Sequence, residues 1–338
     1  MFETSMSRRR FGALALSLTS VPLLSASNAH AQDAKPIGSV SLGWVKSTSN
    51  LLAPASLGLG QAHGIEIKSA NFNSAQDALT ALISGDLDVG LLTPIHLVRA
   101  VDTNLNFIQI AGNSRGGTGV VAAKKLELAE NDFDGLKKIL AVRKPKVASS
   151  RGSINELLAI AEFRKAGIDL LKQLDVVNIS NFGQHPQALR SGDFDLIITL
   201  EPLATISVSE GTGNLFSHPY NSVAGDLNTC YVARGEWLEK NPALAVAFVK
   251  TLADAEKALR DKAYEISVAV KLTGLAPPII EGALKNTRYD LRNALQQTKA
   301  MAVLAAELKY VSRDVSADLD KFVDDRYLRD AGIAVSAG

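Results

Sequence analysis

The feature that most constrains the fold is a near repeat that joins a helix to a strand at two places in the chain. Residues 81–88 read ALISGDLD and residues 188–195 read ALRSGDFD, an offset of 107 residues. Each copy runs into an apolar strand and then into a Thr and a Pro. A lone Ser-Gly-Asp turn recurs by chance, but the shared flanks predict two related lobes of the same construction.

The rest of the chain alternates strand patterns with helix patterns in both halves. Apolar or alternating runs predict strands, which lie at 37–45, 65–68, 87–92, 107–111, 119–123, 146–148 and 175–179. Amphipathic runs with start signals predict helices, which lie at 51–59, 75–83, from Pro94 onward and at 154–165. Such alternation is typical of α/β folds with mainly parallel sheets flanked by helices. Beyond Asn241 the pattern is almost wholly helical.

The chain is longer than a single hydrophobic core usually serves. It has 338 residues, whereas single cores stop growing at about 250–300 residues. We expect lobe 1 to comprise residues 36–115 and 225–338, and lobe 2 to comprise residues 119–218. The chain then crosses between the lobes twice, near Asn113 to Thr118 and near Tyr220 to Thr229, and two crossings make a hinge.

The first 31 residues are predicted to be an export signal. Arg8-Arg9-Arg10-Phe11 precedes a weakly apolar run, and Ala29-His30-Ala31 has the small-x-small form of a cleavage site. The paired arginines resemble a twin-arginine signal. The run is interrupted by polar residues and is shorter than the roughly 20 apolar residues of a membrane span. We therefore expect a mature chain without a transmembrane segment, exported to the periplasm.

Composition and motifs exclude several classes of function. A net charge of +1 gives no support to nucleic-acid binding. A single Cys cannot form a multi-Cys zinc site, and the dispersed histidines indicate no metal. The chain has no nucleotide-binding glycine loop, so no cofactor is expected. Residues 112–116 fit G-x-S-x-G, but a strand pattern follows them where that motif requires a helix.

What remains is a set of polar loops at the carboxyl ends of predicted strands, the edge at which open parallel sheets bind ligands. Helix N-termini beside these loops favour an anionic group. Arg115 and Arg151 are candidate guanidinium partners for a carboxylate, sulfonate or phosphate, with a solvated surface position as the alternative. Trp44 either stacks on the ligand or packs in the core, and Glu201 either orients an amine or hydroxyl or forms a surface turn. The full candidate set is Trp44, Lys46, Ser47, Asn73, Ser74, Thr93, Arg115, Ser150, Arg151, Ser153, Phe182, Thr199 and Glu201.

The order of these segments resembles the periplasmic substrate-binding proteins of ABC importers. The resemblance rests on the export signal, the strand ending near Trp44, residues 72–74 (FNS), 81–90 (ALISGDLDVG), 150–153 (SRGS) and 192–195 (GDFD) with Glu201-Pro202. Within that family it is closest to the branch that takes aliphatic sulfonates, taurine, nitrate and thiamine-precursor pyrimidines. The C-terminal residues 322–328 (FVDDRYL) are similar to that branch too.

The resemblance implies the type II fold of periplasmic binding proteins and a ligand trapped when two lobes close. It implies a small-molecule ligand, an inner-membrane ABC permease as partner, and a monomer that is not an enzyme. The expected ligand is a small organic anion, a sulfonate or carboxylate, and this class includes aromatic and zwitterionic forms. Residues 113–117 and Glu201 depart from the sulfonate-binding members, so the cargo is left open. The alternatives are a thiamine-precursor pyrimidine as ligand, a biosynthetic enzyme on the same fold, and an exported sensory subunit.

Overall fold

The computed structural model describes residues 37–335, so the predicted export signal and its cleavage point lie outside the described residues. The strands in this range are β1 (Gly38–Val45), β2 (Ile65–Phe72), β3 (Val89–Leu92), β4 (Phe107–Gly116), β5 (Thr118–Ala123), β6 (Lys146–Ser149), β7 (Asp175–Asn178), β8 (Leu196–Leu200), β9 (Gly213–Ser217), β10 (Leu227–Arg234) and β11 (Thr287–Tyr289).

The helices in the same range lie mainly between and after these strands. They are α1 (Leu52–Ser56), α2 (Ala75–Ser84), α3 (Pro94–Asp102), α4 (Phe133–Leu140), α5 (Ile154–Lys165), α6 (Leu170–Gln173), α7 (His185–Arg190), α8 (Leu203–Ser209), α9 (Gly235–Lys240), α10 (Pro242–Ala258), α11 (Lys262–Thr273), α12 (Pro277–Leu284), α13 (Leu295–Glu307) and α14 (Arg326–Asp330). Every strand and helix predicted from the sequence is present, with boundaries shifted by a few residues.

The strands form two sheets. Sheet A has the order β11-β4-β10-β3-β1-β2 and sheet B has the order β7-β6-β8-β5-β9. In sheet A, β1 pairs parallel with β2 and β3, whereas β10 and β11 pair antiparallel with their neighbours. In sheet B, β6 pairs parallel with β7 and β8, but β5 pairs antiparallel with β8 and β9. The predicted mainly parallel sheets are therefore mixed, because β10 and β11 in sheet A and β5 in sheet B run against the other strands.

The crossing between the sheets is shorter than the sequence predicts. Sheet A takes its strands from residues 38–116 and 227–289, and sheet B takes its strands from residues 118–217, so only Gly117 separates β4 from β5. Residues 113–116, expected to be a glycine-rich loop, belong to β4 because they pair with β10 and β11. Gly116 and Gly117 have φ angles of +79° and +77°, and a Cβ on Gly116 would lie 2.1 Å from the backbone oxygen of Asn286. Glycine is required at this turn.

One apolar cluster runs through the helices of both sheets. It joins Leu92 and Val98 near sheet A to Leu157 and Phe163 on α5 and to Met301 on α13, all buried. A second cluster lies against the other face of sheet A, around Tyr231 and Phe248. Because the first cluster is continuous, α5 of sheet B packs directly against helices of sheet A.

Candidate ligand-binding site

The loops that follow β1 and β8 meet where the two sheets face each other. Ser47 caps a buried 3-10 turn, Thr48–Asn50, and its Oγ accepts a hydrogen bond from the Ser49 N–H at 3.1 Å. The same hydroxyl donates to the backbone oxygen of Glu201 at 3.3 Å. Because Ser47 follows a strand of sheet A and Glu201 follows a strand of sheet B, the structure brings together two of the predicted site loops.

Two buried amides hold the Ser47 loop against the crossing strands. Asn113 Nδ2 donates to the backbone oxygen of Ser49 at 2.9 Å and to Thr229 Oγ1 at 2.7 Å. Asn228 Nδ2 donates to Ser49 Oγ at 3.2 Å. The side-chain oxygen of Asn113 is buried without a hydrogen-bond partner among the described residues. The Ser47 loop is therefore held in place by neutral groups.

The facing edge of sheet B carries buried hydroxyls. Ser149 at the end of β6, Thr199 near the end of β8 and Ser217 at the end of β9 are all 0% exposed. Within residues 37–335 their hydroxyl oxygens have no hydrogen-bond partner. Leaving a buried polar group without a hydrogen-bond partner costs about 1–3 kcal/mol, so native structures usually provide a partner. Three buried hydroxyls on one edge of sheet B are thus left without a partner among the described residues.

A neighbouring amide orders the same edge. Asn155, in the first turn of α5, donates from Nδ2 to Thr118 Oγ1 at 2.8 Å. The same nitrogen lies 3.5 Å from the backbone oxygen of Thr199. Asn155 therefore links the N-terminus of α5 to β5 and β8, and the sequence analysis did not single it out.

Arg115 lies in a charge network of sheet A. Its Nη1 is 3.4 Å from Asp226 Oδ1 and also donates to Gln297, and its Nε is 3.9 Å from Asp290 Oδ2. Two carboxylates thus neutralise this guanidinium inside the chain, and its side chain is only 12% exposed. Arg115 is therefore not free to act as an unopposed guanidinium. The sequence did not indicate this pairing, because both acids come from segments far along the chain.

Arg151 is also paired within the protein. Its Nε lies 2.9 Å from Glu156 Oε1, and its Nη2 donates to the Tyr310 hydroxyl at 3.1 Å. The Tyr310 hydroxyl in turn donates to Glu156 Oε2 at 2.6 Å. Burial and Glu156 raise the pKa of Tyr310 to about 12, so the hydroxyl keeps its proton at neutral pH. Arg151 therefore serves an internal cluster rather than standing free.

Glu201 is buried rather than part of a surface turn. It is 1% exposed, with Oε2 accepting from the Thr205 N–H at 3.1 Å and Oε1 accepting from Asn286 Nδ2 at 2.8 Å. No Lys, Arg or His of the described chain lies within ion-pairing distance of this carboxylate. A buried carboxylate with only neutral donors retains capacity for a further donor.

The remaining candidates on the sheet A side are spread along three strand ends. Trp44 is 2% exposed and packs in the core, in line with the core alternative. Lys46 and Asn73 are exposed. Ser74 Oγ caps α2 by accepting from the Asp77 N–H at 3.1 Å. Thr93 Oγ1 lies 2.7 Å from His96 Nδ1.

The remaining candidates on the sheet B side lie around the start of α5. Ser153 Oγ caps α5 by accepting from the Glu156 N–H at 3.2 Å. The backbone oxygen of Ser150 accepts from the Ser153 N–H at 3.1 Å. Phe182 is half-buried, with its ring centroid 5.0 Å from that of His185. The Ser150–Ser153 loop and Thr199 thus belong to one edge of sheet B.

Sequence reasoning missed one cation near this loop, Arg99. It lies on α3, and its Nη2 donates to the backbone oxygen of Gly152 at 2.9 Å. Burial lowers the pKa of Arg99, and burial together with Arg99 lowers the pKa of His96 to about 4, so His96 is neutral at pH 7. The only sequence signal for Arg99 was a charged residue within an apolar helix.

Neither a serine nucleophile on a strand-to-helix turn at residues 112–116 nor a metal-binding cluster is found among the described residues. Ser114, the serine of the G-x-S-x-G match, lies within β4 and hydrogen-bonds Thr229 Oγ1 at 2.7 Å. Residues 37–335 contain no group of three or more His, Cys, Asp or Glu arranged to hold a metal. No single helix in that range is long and apolar enough to cross a membrane, although the bent pair α11 and α12 passes on length and composition together.

Comparison with known proteins places the chain in a family. A model of the NMT1-like family matches residues 33–273. YtlA of Bacillus subtilis (strain 168), described as a proposed binding protein, is 24% identical over 293 residues, which is 84% of this chain and 84% of YtlA.

Solved structures share the fold at low sequence identity. The periplasmic aliphatic sulphonate binding protein SsuA from Escherichia coli superposes with a TM-score of 0.70 at 19% identity, covering 87% of this chain and 99% of SsuA. The periplasmic nitrate-binding protein NrtA from Synechocystis PCC 6803 gives 0.76 at 15% identity, covering 87% and 88%. The ligand-binding component of an ABC-type import system from Staphylococcus aureus, with zinc bound, gives 0.73 at 16% identity, covering 87% and 99%.

These matches agree with the family resemblance and with the prediction that the chain is not an enzyme, since the matched proteins are binding proteins. The chain belongs to the NMT1-like family, and it has the two-sheet α/β fold of the substrate-binding proteins of ABC importers.

Proposed function

We propose that this protein is an exported, monomeric substrate-binding protein that captures a small organic anion in the periplasm and delivers it to an inner-membrane ABC permease. The observation that carries the proposal is the meeting of Ser47 with Glu201 beside the unpaired hydroxyls of Ser149 and Thr199. Those hydroxyls are buried, neutral donors at the edge where open sheets bind ligands.

The anion would be held by neutral donors rather than by a free guanidinium. Arg115 and Arg151 already have carboxylate partners, so neither offers an unopposed charge. Hydroxyl and amide donors close to the N-terminus of α5 supply a positive local potential without a cation. This arrangement supports a sulfonate or carboxylate, whose oxygens only accept hydrogen bonds.

A second feature narrows the ligand further. The buried carboxylate of Glu201 is bonded only to neutral donors, and it would orient an amine or hydroxyl at the other end of the ligand. A zwitterion of the taurine type carries both groups. Glu201 also favours the alternative ligand, a thiamine-precursor pyrimidine, because an aminopyrimidine presents N–H donors.

The proposed mechanism is binding with closure of two lobes, and it involves no covalent step. Lobe 1 (36–115 and 225–338) and lobe 2 (119–218) would move about Gly117 and the returning segment 218–226. The ligand stabilises the closed arrangement only to the extent that it contacts both lobes.

The test of this function is a thermal-shift screen of the mature protein. The panel contains aliphatic and aromatic sulfonates, taurine, aliphatic and aromatic carboxylates, nitrate and aminopyrimidines, with sugars and simple cations for comparison. A ligand at 100 times its Kd stabilises the folded state by about 2.7 kcal/mol, which raises the melting temperature. A rise with a sulfonate or carboxylate supports the proposal, and a rise only with an aminopyrimidine supports the alternative ligand. A rise only with sugars or simple cations contradicts the ligand class.

A further inference from the structure

A cluster of polar contacts joins lobe 1 to the start of α5 in lobe 2. From lobe 1, Arg99 Nη2 donates to the Gly152 backbone oxygen at 2.9 Å, and the Tyr310 hydroxyl donates to Glu156 Oε2 at 2.6 Å. Within lobe 2, the same Glu156 oxygen accepts from the Gly152 N–H at 2.6 Å. Glu156 is 0% exposed, so the carboxylate that receives two of these bonds is shielded from solvent.

The lobe 1 side of this cluster is rigidly mounted. Lys309 has a φ angle of +60° directly after α13, and the Tyr310 N–H donates to the Ala305 oxygen at 2.8 Å, which fixes the turn that carries Tyr310. Ser312 then donates from its N–H and its Oγ to the carboxylate of Asp102 at 2.8 and 2.6 Å. Asp102 and Arg99 lie on α3, so Tyr310 and Arg99 belong to one unit.

The lobe 2 side is shaped to receive Arg99. Gly152 has a φ angle of +70°, and a Cβ at this position would lie 2.5 Å from Arg99 Nη2. A side chain here would therefore be strained and would displace the guanidinium. Gly152 lies within the Ser150–Ser153 loop, so Arg99 and Tyr310 contact the backbone that carries predicted ligand-binding residues.

We propose that Arg99 and Tyr310 are positioning residues that set ligand affinity without touching the ligand. They hold the Ser150–Ser153 loop and the start of α5 in place when the lobes are together, so their bonds form on closure and break on opening. This inference rests on the proposed function, and it adds a determinant of ligand affinity that lies outside the ligand site. Hydrogen bonds that involve a charged group are strong, so removing one is expected to lower the ratio of closed to open protein by about tenfold or more.

The variants Tyr310→Phe and Arg99→Met remove the relevant bonds with little change in side-chain length. Tyr264→Phe is the matched control, since Tyr264 is 39% exposed on α11. Spin labels on cysteines introduced at the exposed positions Thr80 and Lys172 report the distance between the lobes. Cys230 is buried, so it does not compete for the label.

Double electron–electron resonance measures the distance between the two spin labels on the mature protein in buffer, with taurine and with nitrate. We expect the short-distance population to fall in both variants and to stay at the parental level in Tyr264→Phe. For whichever thermal-shift compound binds, we expect the variants to dissociate about tenfold faster with little change in association rate. Two results overturn the inference. One is a distance distribution in the variants that equals the parental one, and the other is a parent that has no short-distance population.

The two proposals fail in different ways. If a compound binds and its dissociation rate is the same in Tyr310→Phe as in the parent, the positioning role is wrong and the binding function stands. If no compound binds but the short-distance population still falls in the variants, the positioning role stands and the proposed ligand class is wrong.

Discussion

Asp88 and Asp195 perform the same structural task at equivalent points of the two sheets. Asp88 Oδ2 accepts from the Ser41 N–H at 2.9 Å while its own N–H donates to the Ser41 oxygen at 3.0 Å. Asp195 Oδ2 accepts from the Lys146 N–H at 3.0 Å while its N–H donates to the Lys146 oxygen at 2.8 Å. Each aspartate thus clamps the first parallel strand of its sheet, and the sequence repeat is a structural repeat.

Each clamp is closed by an arginine, and the one in sheet B provides a test of stability. Arg143 donates from Nη1 and Nη2 to the two oxygens of Asp195 at 2.5 and 3.0 Å. Burial alone would raise the pKa of Asp195, but the hydrogen bonds from Arg143 and Lys146 outweigh it and hold the pKa below its usual range. The stabilisation is therefore fully present above the unfolded pKa of about 3.9 and is lost progressively as the pH falls from there through the lower pKa of the folded state.

We predict that Asp195→Asn lowers the free energy of unfolding at pH 7 by about 1–3 kcal/mol. The difference between variant and parent should shrink at pH 3, because the carboxylate then binds a proton in the unfolded parent more readily than in the folded parent, where its pKa is lowered. Urea unfolding at the two pH values measures this. Asp193→Asn, at an exposed neighbouring position, is the control and should match the parent. An equal deficit at both pH values would show that the charge of Asp195 is not what stabilises the strand.

Local patterns predicted most of the fold. The repeat, the Ser153 cap of α5 and the Gly85 stop of α2 each act within a few residues, so they are visible in the sequence. The antiparallel strands were not predicted, because the pairing of β4 with β10 joins residues more than a hundred positions apart. Because β4 pairs with β10 and β11 as far as Gly116, residues 113–116 form part of a strand and not the expected loop.

The candidate site was predicted less well because charge partners are distant in sequence. Arg115 is neutralised by the distant Asp226 and Asp290, and Arg151 bonds the distant Tyr310 in addition to its near neighbour Glu156. No local pattern indicates such pairs. The loops that do meet, at Ser47 and Glu201, belong to different sheets, and each was singled out because it follows the carboxyl end of a strand.

Arg115→Ala is expected to affect stability more than ligand binding. Its removal leaves Asp226 and Asp290 facing each other with one cation fewer, so the free energy of unfolding should fall by about 1–3 kcal/mol. Chemical denaturation measures the loss, and the thermal shift produced by a binding compound measures the site. A variant with parental stability and tenfold weaker binding would return Arg115 to the ligand site.

Thr199→Val separates ligand binding from folding. Thr199 is fully buried and its Oγ1 has no partner among the described residues, so the isosteric change removes no internal hydrogen bond. We expect unchanged or slightly higher thermal stability without ligand, and about tenfold weaker binding of the best compound by calorimetry. Thr251→Val is the control, because Thr251 is equally buried but bonds Ala247 within α10. Equal affinity in the parent and Thr199→Val would remove this hydroxyl from the site.

Export provides a prediction that does not depend on the ligand. The mature N-terminus should be Gln32 or a residue or two from it, and Arg8→Lys with Arg9→Lys should block translocation. Cell fractionation and N-terminal sequencing measure both. Normal export of the double variant would refute the twin-arginine route, and a mature chain that begins at Met1 would refute the signal itself.

Closure of two lobes on a small ligand is the central claim, and solution scattering tests it most directly. The radius of gyration of the mature protein is measured alone and with the compound that gives the largest thermal shift. Because the ligand would bridge the Ser47 loop of lobe 1 and the Thr199 edge of lobe 2, we predict that the compound lowers the radius of gyration and narrows the distribution of interatomic distances. An unchanged radius of gyration in the presence of a compound that raises the melting temperature would contradict closure.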